Sequence, residues 1–303
     1  DMNKDELVIA EALNGMVRIR ACRATDLIEK MHEVHNTAPT STAALGRVMI
    51  VNAIMASDLK DENAKCVVTI NGHGPAGTIV SQATPAGKVR GFISNPDIYL
   101  VNEKTGKLDV GRAVGTNGSL NVTKDLGLKE PFTGVVELQT GEIGDDFAYY
   151  FAMSEQIPSV VSVGVLVGYE CHVKAAGGIL IQMLPNANEE AYEYVEKLTK
   201  EMKPVSTYID EGLTPEEIIH TLFNDAKVLG RNDLEWYCGC SKEHFMRALS
   251  LISQKDIEEM IQEGKGAHVK CQYCEKEYDF TQEDLKEVLD RHVNMEHRKD
   301  INC

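Results

Sequence analysis

Four of the eight cysteines in this 303-residue chain form two close pairs, Cys238-Gly-Cys240 and Cys271-Gln-Tyr-Cys274, separated by residues 241–270. Two short thiol knuckles in one small segment supply the four sulfur donors that a tetrahedral structural Zn²⁺ prefers. A lone C-x-x-C is a weak sign, but a second pair close by makes the metal reading strong. The C-x-C half and the long spacer depart from common ribbon spacing. The pattern therefore argues for one zinc ion per chain on Cys238, Cys240, Cys271 and Cys274 without naming an activity. A competing set joins Cys271 and Cys274 to His292 and His297 in the manner of a two-Cys, two-His finger. Its central stretch is longer than the usual run of about 12 residues, and it leaves Cys238 and Cys240 without a role. His244 and His268 stand near the knuckles as second-choice ligands, although surface or packing positions are the simpler reading.

The metal constrains what this segment can fold into. Ser241 reads as the N-cap of a helix to Ile252, with Phe245, Leu249 and Ile252 on one face. Asp256-Ile-Glu-Glu259 has the form of a capping box opening a second helix, stopped by Gly264. Residues 267–270 and 275–280 read as short strands, and Thr281-Gln-Glu-Asp284 opens a last helix through Leu289. Residues 233–290 then form a zinc-binding module and 291–303 a tail. A module below about 70 residues has too small a core to hold itself together. Zinc, at roughly 10–16 kcal/mol, would supply most of its folding energy, and loss of the metal should unfold it.

Upstream, Met16–Arg23 alternates apolar and basic residues, the mark of a half-buried strand. Asp26-Leu-Ile-Glu29 predicts a capped helix start, and Pro39–Lys60 a longer helix with an apolar stripe through Ala44, Leu45, Val48, Met49, Asn52, Met55 and Ala56. From Lys65 the period changes to two. Residues 65–71, 78–83 and 88–94 read as strands, followed by 119–124 and 134–140. Gly72-x-Gly74-x-x-Gly77 spells a dinucleotide fingerprint, but that motif needs a helix after the glycines; with Pro75 inside and a strand behind, it is a hairpin turn. Residues 141–156 predict a helix with an aromatic face, and 159–167, 171–175 and 177–185 three strands. Cys22, Cys66 and Cys171 are expected to be buried thiols in strands, and Cys303 to be incidental. Residues 1–185 are thus expected to be a core domain. In 186–232, one helix carries Tyr194, Val195, Leu198 and Met202, and another starts at Thr214-Pro-Glu-Glu217. Short amphipathic helices depend on their support, so this stretch reads as a helical linker built to come off.

Charge and composition exclude several functions. The net charge is −16, and from Asp233 onward sixteen acidic residues face ten basic ones, so module and tail together carry −6. Nucleic-acid affinity is largely Lys and Arg neutralising phosphates, which argues against a nucleic-acid partner. The longest apolar run, Ile157–Gly168, is too short to span a bilayer, so no membrane partner is expected. The opening residues Asp1–Asp5 are polar and lack a secretory pattern. Eight cysteines without such a signal point to a reducing cytoplasm.

Several motifs together resemble one family. They are Ala44-Leu-Gly-Arg47, Gly141-Glu-Ile with Tyr149-Tyr-Phe, Ser154-Glu-Gln-Ile-Pro158, Ala176-Gly-Gly-Ile-Leu-Ile-Gln-Met-Leu-Pro185, and Cys238-Gly-Cys-Ser241 with Cys271 and Cys274. Over nearly its whole length the chain resembles the redox-regulated thirty-three-kilodalton holdase chaperones of bacteria. The resemblance implies an α+β fold: a substrate-binding core of mixed sheet and helix, a helical regulatory linker and a small zinc-binding redox switch. It implies a non-enzymatic, ATP-independent holdase for unfolding client proteins under oxidative stress, inactive when reduced and zinc-bound and dimeric when active. It also implies the disulfides Cys238–Cys240 and Cys271–Cys274, which destroy the donor set and release zinc. Strained small-ring disulfides are readily reduced, so the switch would be reversible. Two other classes stay open: a zinc-ribbon nucleic-acid binder, and a thiol–disulfide oxidoreductase using Cys271-x-x-Cys274. The latter chemistry usually sits in a βαβ context absent from this sequence.

Overall fold

A computed structural model describes residues 3–128 and 130–301, except for the side chains of Asp300 and Ile301. The chain forms two units, one ending at Tyr237 and the other beginning at Cys238.

The first unit is built on two sheets. Strands β1 (Glu6–Ala12) and β2 (Val17–Arg23) form a hairpin with Leu7 opposite Cys22. Helix α1 (Thr25–His35) follows, then α2 (Pro39–Ala56). Strands β3 (Lys65–Asn71), β4 (Thr78–Ala83) and β5 (Lys88–Ile93) come next, then α3 (Val110–Val114), β6 (Ser119–Asp125), β7 (Phe132–Glu137) and α4 (Gly144–Tyr150). Strands β8 (Ser159–Val167) and β9 (Val173–Met183) precede α5 (Glu189–Glu201), α6 (Val205–Asp210) and α7 (Pro215–Leu222). Strands β10 (Lys227–Asp233) and β11 (Glu235–Trp236) close the unit. The order is β10-β1-β2-β9-β8 in one sheet and β11-β5-β4-β3-β6-β7 in the other.

Helix α2 packs on β8 and β9 of the first sheet and on β3, β4 and β5 of the second. The expected single stripe was therefore too narrow. Ala43, Ile50, Val51 and Ile54, outside it, are also buried, because sheets close over the helix from both sides. The helix stops at Ala56 rather than Lys60. Its one buried amide, Asn52 Nδ2, donates to the Cys66 carbonyl and to Ser81 Oγ, both at 3.1 Å.

The other face of the first sheet meets α5, α6 and α7. Val8, Ala10, Ile19, Ile179 and Ile181 pack there against Val195, Val205, Ile209, Ile218 and Phe223. Residues 186–232 were expected to be a helical linker; they carry three helices and also β10, which pairs antiparallel with β1. Alternation along Lys227–Asp233 is weak, since only Val228 and Leu229 are large and apolar, so the strand is set by its partner.

Several local expectations change. Helix α1 has no side-chain cap of its own. Asp5, just before β1, accepts from the backbone N–H of Asp26 (3.3 Å) and Leu27 (2.7 Å) and from Arg23 (2.6 Å). Glu29, assigned to a capping box, instead accepts from the Val173 N–H at 2.6 Å and bonds His172 Nδ1 at 2.7 Å. The helix expected over 141–156 is a turn, then α4, then a π turn over Phe151–Glu155. The turn is pinned by buried Asp146, which accepts from the N–H groups of Gln139, Thr140, Gly141 and Ile143. The strands expected at 171–175 and 177–185 merge into β9. Cys171 is exposed in a short 3-10 turn before it, so the buried-thiol expectation fails there. Cys22 and Cys66 are buried, and burial pushes both thiols up to about 12. Cys303 lies outside the described residues.

The second unit contains α8 (Lys242–Leu249), α9 (Gln254–Glu263), strands β12 (Ala267–Lys270) and β13 (Glu277–Phe280), and α10 (Gln282–Ile301). Ser241 caps α8, accepting from the His244 N–H. The cap of α9 is Ser253, three residues before the expected Asp256, whose N–H it takes at 3.2 Å. Thr281 and Asp284 bond reciprocally at the expected start of α10. That helix runs to Ile301 rather than stopping at Leu289, so residues 291–301 of the expected tail are helical. Met246, Ile257, Phe280, Leu285 and Val288 are its buried centre.

Candidate metal centre

The two cysteine pairs reach one another through the hairpin of the second unit. Cys238 and Cys240 lie in the short stretch between β11 and the cap of α8, and Cys271 and Cys274 in the turn joining β12 to β13. That turn is closed by the Cys271 N–H donating to the Lys276 carbonyl at 2.9 Å and the Glu275 N–H to the Cys271 carbonyl at 2.8 Å. Glu275 takes a left-handed conformation (φ 68°) to complete it.

The four Sγ atoms lie within 4.8 Å of one another. Cys238 and Cys271 sulfurs are 3.8 Å apart, and those of Cys240 and Cys274 3.4 Å. Four thiolates about 2.3 Å from a tetrahedral Zn²⁺ stand about 3.8 Å from each other, so the donors fit such an ion in number, type and spacing. The backbone supports the same charge state. N–H groups of Cys274 and Tyr273 are directed at the Cys271 sulfur, and that of Lys276 at the Cys274 sulfur. Without a cation Cys271 and Cys274 resist ionisation. Burial pushes Cys271 up, and its neighbour Cys238 adds to this; burial and the adjoining thiols push Cys274 up. A divalent cation reverses that balance. The four cysteines could therefore hold a metal ion, in keeping with zinc.

The histidines do not join them. Among the described residues, the group of metal-type side chains that closes up is the four cysteines alone. His268 sits between Asp279 (2.6 Å) and Glu277 (3.4 Å), and these carboxylates hold its pKa above the ordinary value. His244 stacks edge-on to Phe245, and His292 lies on α10 with Nδ1 3.7 Å from Glu296. Sequence reasoning missed Tyr278, whose hydroxyl is 3.1 Å from the Cys240 sulfur and whose ring packs on Phe245. The signal was available: strand alternation puts Tyr278 on the same face as buried Phe280.

The C-x-x-C also lacks the setting of an oxidoreductase. Cys271–Cys274 turns between two antiparallel strands rather than opening a helix after a strand.

Two of the family motifs of the first unit meet in the fold. Arg47 donates to the Glu142 carbonyl (3.0 Å) and carboxylate (2.9 Å), and Glu142 accepts from the Gly111 N–H. The family model described as "Hsp33 protein" matches residues 5–281. The chain belongs to the Hsp33 family. It is 46% identical to the "33 kDa chaperonin" of Shouchella clausii, over 95% of this chain and 98% of that one. It is 44% identical to that of Bacillus velezensis, over 94% and 98%. The crystal structure of the 33 kDa chaperonin, a heat shock protein 33 homologue, from Thermotoga maritima superposes with a TM-score of 0.85 at 34% identity, covering 96% of this chain and 99% of that one. This Hsp33-family chain is thus a chaperone of α+β fold, not an enzyme. Among the described residues no helix is long and apolar enough to cross a membrane.

Proposed function

We propose that this chaperone is a cytoplasmic, ATP-independent holdase gated by the redox state of Cys238, Cys240, Cys271 and Cys274. One observation carries the reading: four convergent sulfurs sit in a unit whose buried apolar centre is only five side chains. When bound, one zinc ion per chain would supply the structural cross-link that so small a core lacks.

The chain's own residues do the rest. In the reduced, zinc-bound state the four sulfurs would be thiolates, the form that oxidants attack. Within a pair, one thiolate attacks a hydroperoxide, becoming a sulfenic acid and releasing hydroxide. Its neighbour displaces a second hydroxide and closes the S–S bond. Each pair, Cys238–Cys240 and Cys271–Cys274, gives up two electrons and consumes one peroxide. Both reactions remove the donor set, and a unit without its cross-link unfolds.

The second unit joins residues 186–232 through β10 and β11. Fraying of these strands would loosen α5, α6 and α7 from the first sheet and expose the apolar face that carries Ile19, Ile179 and Ile181. Residues 186–232 then act as the regulatory linker, residues 1–185 as the client-binding core, and 233–290 as the redox switch. Unfolded or partly folded proteins are the partners, with two copies of the chain associating in the active form. The −6 charge from Asp233 onward speaks against nucleic acid as the partner.

The test follows light scattering of a heat-denatured client with reduced and peroxide-treated protein, with zinc release measured in parallel. Oxidised protein is expected to suppress aggregation and to have lost about one zinc per chain; reduced protein should do neither. Equal suppression in both states would overturn the gating.

A further inference from the structure

The sheet that ends in β5 is closed by an unusually small piece of chain. Strand β11 is two residues long, runs parallel to β5 and pairs Glu235 with Lys88 and Trp236 with Val89. Alternate residues of β5 turn toward β4, as Lys88 does in accepting from the Thr84 N–H. The others present their carbonyls outward. The Glu235 N–H donates to the Gly87 carbonyl at 2.9 Å, and the Tyr237 N–H to the Val89 carbonyl at 3.1 Å. The next outward carbonyl, Gly91, is met by His35 Nε2 at 2.8 Å, and the His35 ring stands edge-on to Trp236. Leu234 is buried in the core. Gly87 (φ 85°) lets the segment seat: a Cβ there would lie 1.8 Å from the Asp233 carbonyl oxygen.

An edge strand is a template for another extended chain. We infer that the outer edge of β5 is a docking site for an extended polypeptide, occupied in this state by the chain's own Leu234–Tyr237. The cis segment shows what fits: backbone N–H donors in an extended run, with apolar or aromatic side chains alternating. Main-chain bonding of this kind is indifferent to sequence. It admits unfolded chains and rejects folded ones whose N–H groups are already paired. What frees the strap rests on the redox reading above, since Tyr237 is followed directly by Cys238. Once that neighbour unfolds, two residues of pairing and the buried Leu234 side chain hold it.

The test uses the full chain. Glu235→Pro removes the donor to Gly87 and leaves all four cysteines in place; metal content verifies that the second unit is intact. An acetylated, amidated peptide of residues 232–237 should bind the reduced, metal-loaded variant at least about tenfold more tightly than reduced wild type, whose own strap competes at high effective concentration. N-methylation at the peptide's Glu and Tyr nitrogens deletes both donors and should cost about tenfold. Separately, hydrogen exchange of oxidised wild type should show new protection at residues 87–93 when a denatured client binds. Equal binding of methylated and unmethylated peptide overturns the inference. So does client capture by oxidised wild type with 87–93 left unprotected, an outcome that spares the redox reading. Should oxidised wild type capture nothing, the redox reading fails, and the peptide comparison alone decides the docking site.

Discussion

The two units of this chain solve the same problem at different scales. Around α2 the first unit buries Leu45, Met49, Ile50, Ile54, Phe147 and Tyr150, together with many smaller apolar residues. The second buries five apolar side chains and places four sulfurs within 4.8 Å. Apolar burial grows faster than chain length, so the larger unit can rely on its interior while the smaller one needs a cross-link. The difference teaches where a switch can be put. If the second unit depends on the proposed zinc, chemistry on its ligands can unfold that unit alone, because the neighbouring unit would not share its source of stability.

The largest expected effect breaks the smaller unit outright. Cys271→Ser replaces a thiolate by a neutral hydroxyl, a poor zinc ligand. Against a metal contribution of about 10–16 kcal/mol, residues 238–301 should lose nearly all protection in hydrogen exchange even in reductant. Residues 186–232 should lose part of theirs, and the sheets around α2 should keep theirs. Loss of protection throughout both units would contradict the separation drawn here. Preserved protection in 186–232 after the second unit has melted would mean that the two are not coupled.

Cavity mutations sharpen the contrast. Ile54→Ala beneath both sheets should lower stability by about 2–5 kcal/mol, visible as a shifted denaturant midpoint with metal content unchanged. Ile257→Ala in the second unit should instead surface as weaker zinc retention against a chelator, since folding and metal binding are one equilibrium there. If Ile257→Ala leaves zinc retention unchanged, the five-residue core does not contribute to holding the site.

The smallest effect concerns pH. Asp5 holds the N-terminus of α1, and burial raises its pKa from 3.8 to about 6 despite the opposing hydrogen bonds. The folded state therefore holds this proton more tightly than the unfolded chain. The group's contribution is most favourable below 3.8 and is lost as pH rises through about 6. The span is at most about 3 kcal/mol. Asp5→Asn should flatten that part of the curve for the first unit. Parallel stability curves for variant and wild type across this window would remove Asp5 as the source.

Much of the architecture was legible because it rests on local rules. The period of two marks β3, β4 and β5 to within a residue, since one face of each is buried. Thr214 and Glu217 cap α7 reciprocally as their spacing predicts. The misses have a common cause. Strand β10 has little pattern of its own and exists because β1 offers an edge. The N-terminus of α1 is held by Asp5, about twenty residues away, where a capping motif looks only three residues ahead. Cys171 was expected in a strand but sits in a turn with left-handed backbone, which alternation does not reveal.

The sequence by itself pointed to four cysteines as a candidate donor set, because two close thiol pairs in one small segment have few other uses. It also gave the expectation that residues 241–289 need more than their apolar side chains to fold. Only the tertiary structure decided that the four sulfurs converge, that His268 is spoken for by two carboxylates, and that Tyr278 adds its hydroxyl to Cys240. It alone put Glu235 and Trp236 on the edge of β5. The physical reason is range: periodicity and capping act over a few residues, whereas a metal site and a sheet edge are made by groups that the chain brings together from far apart.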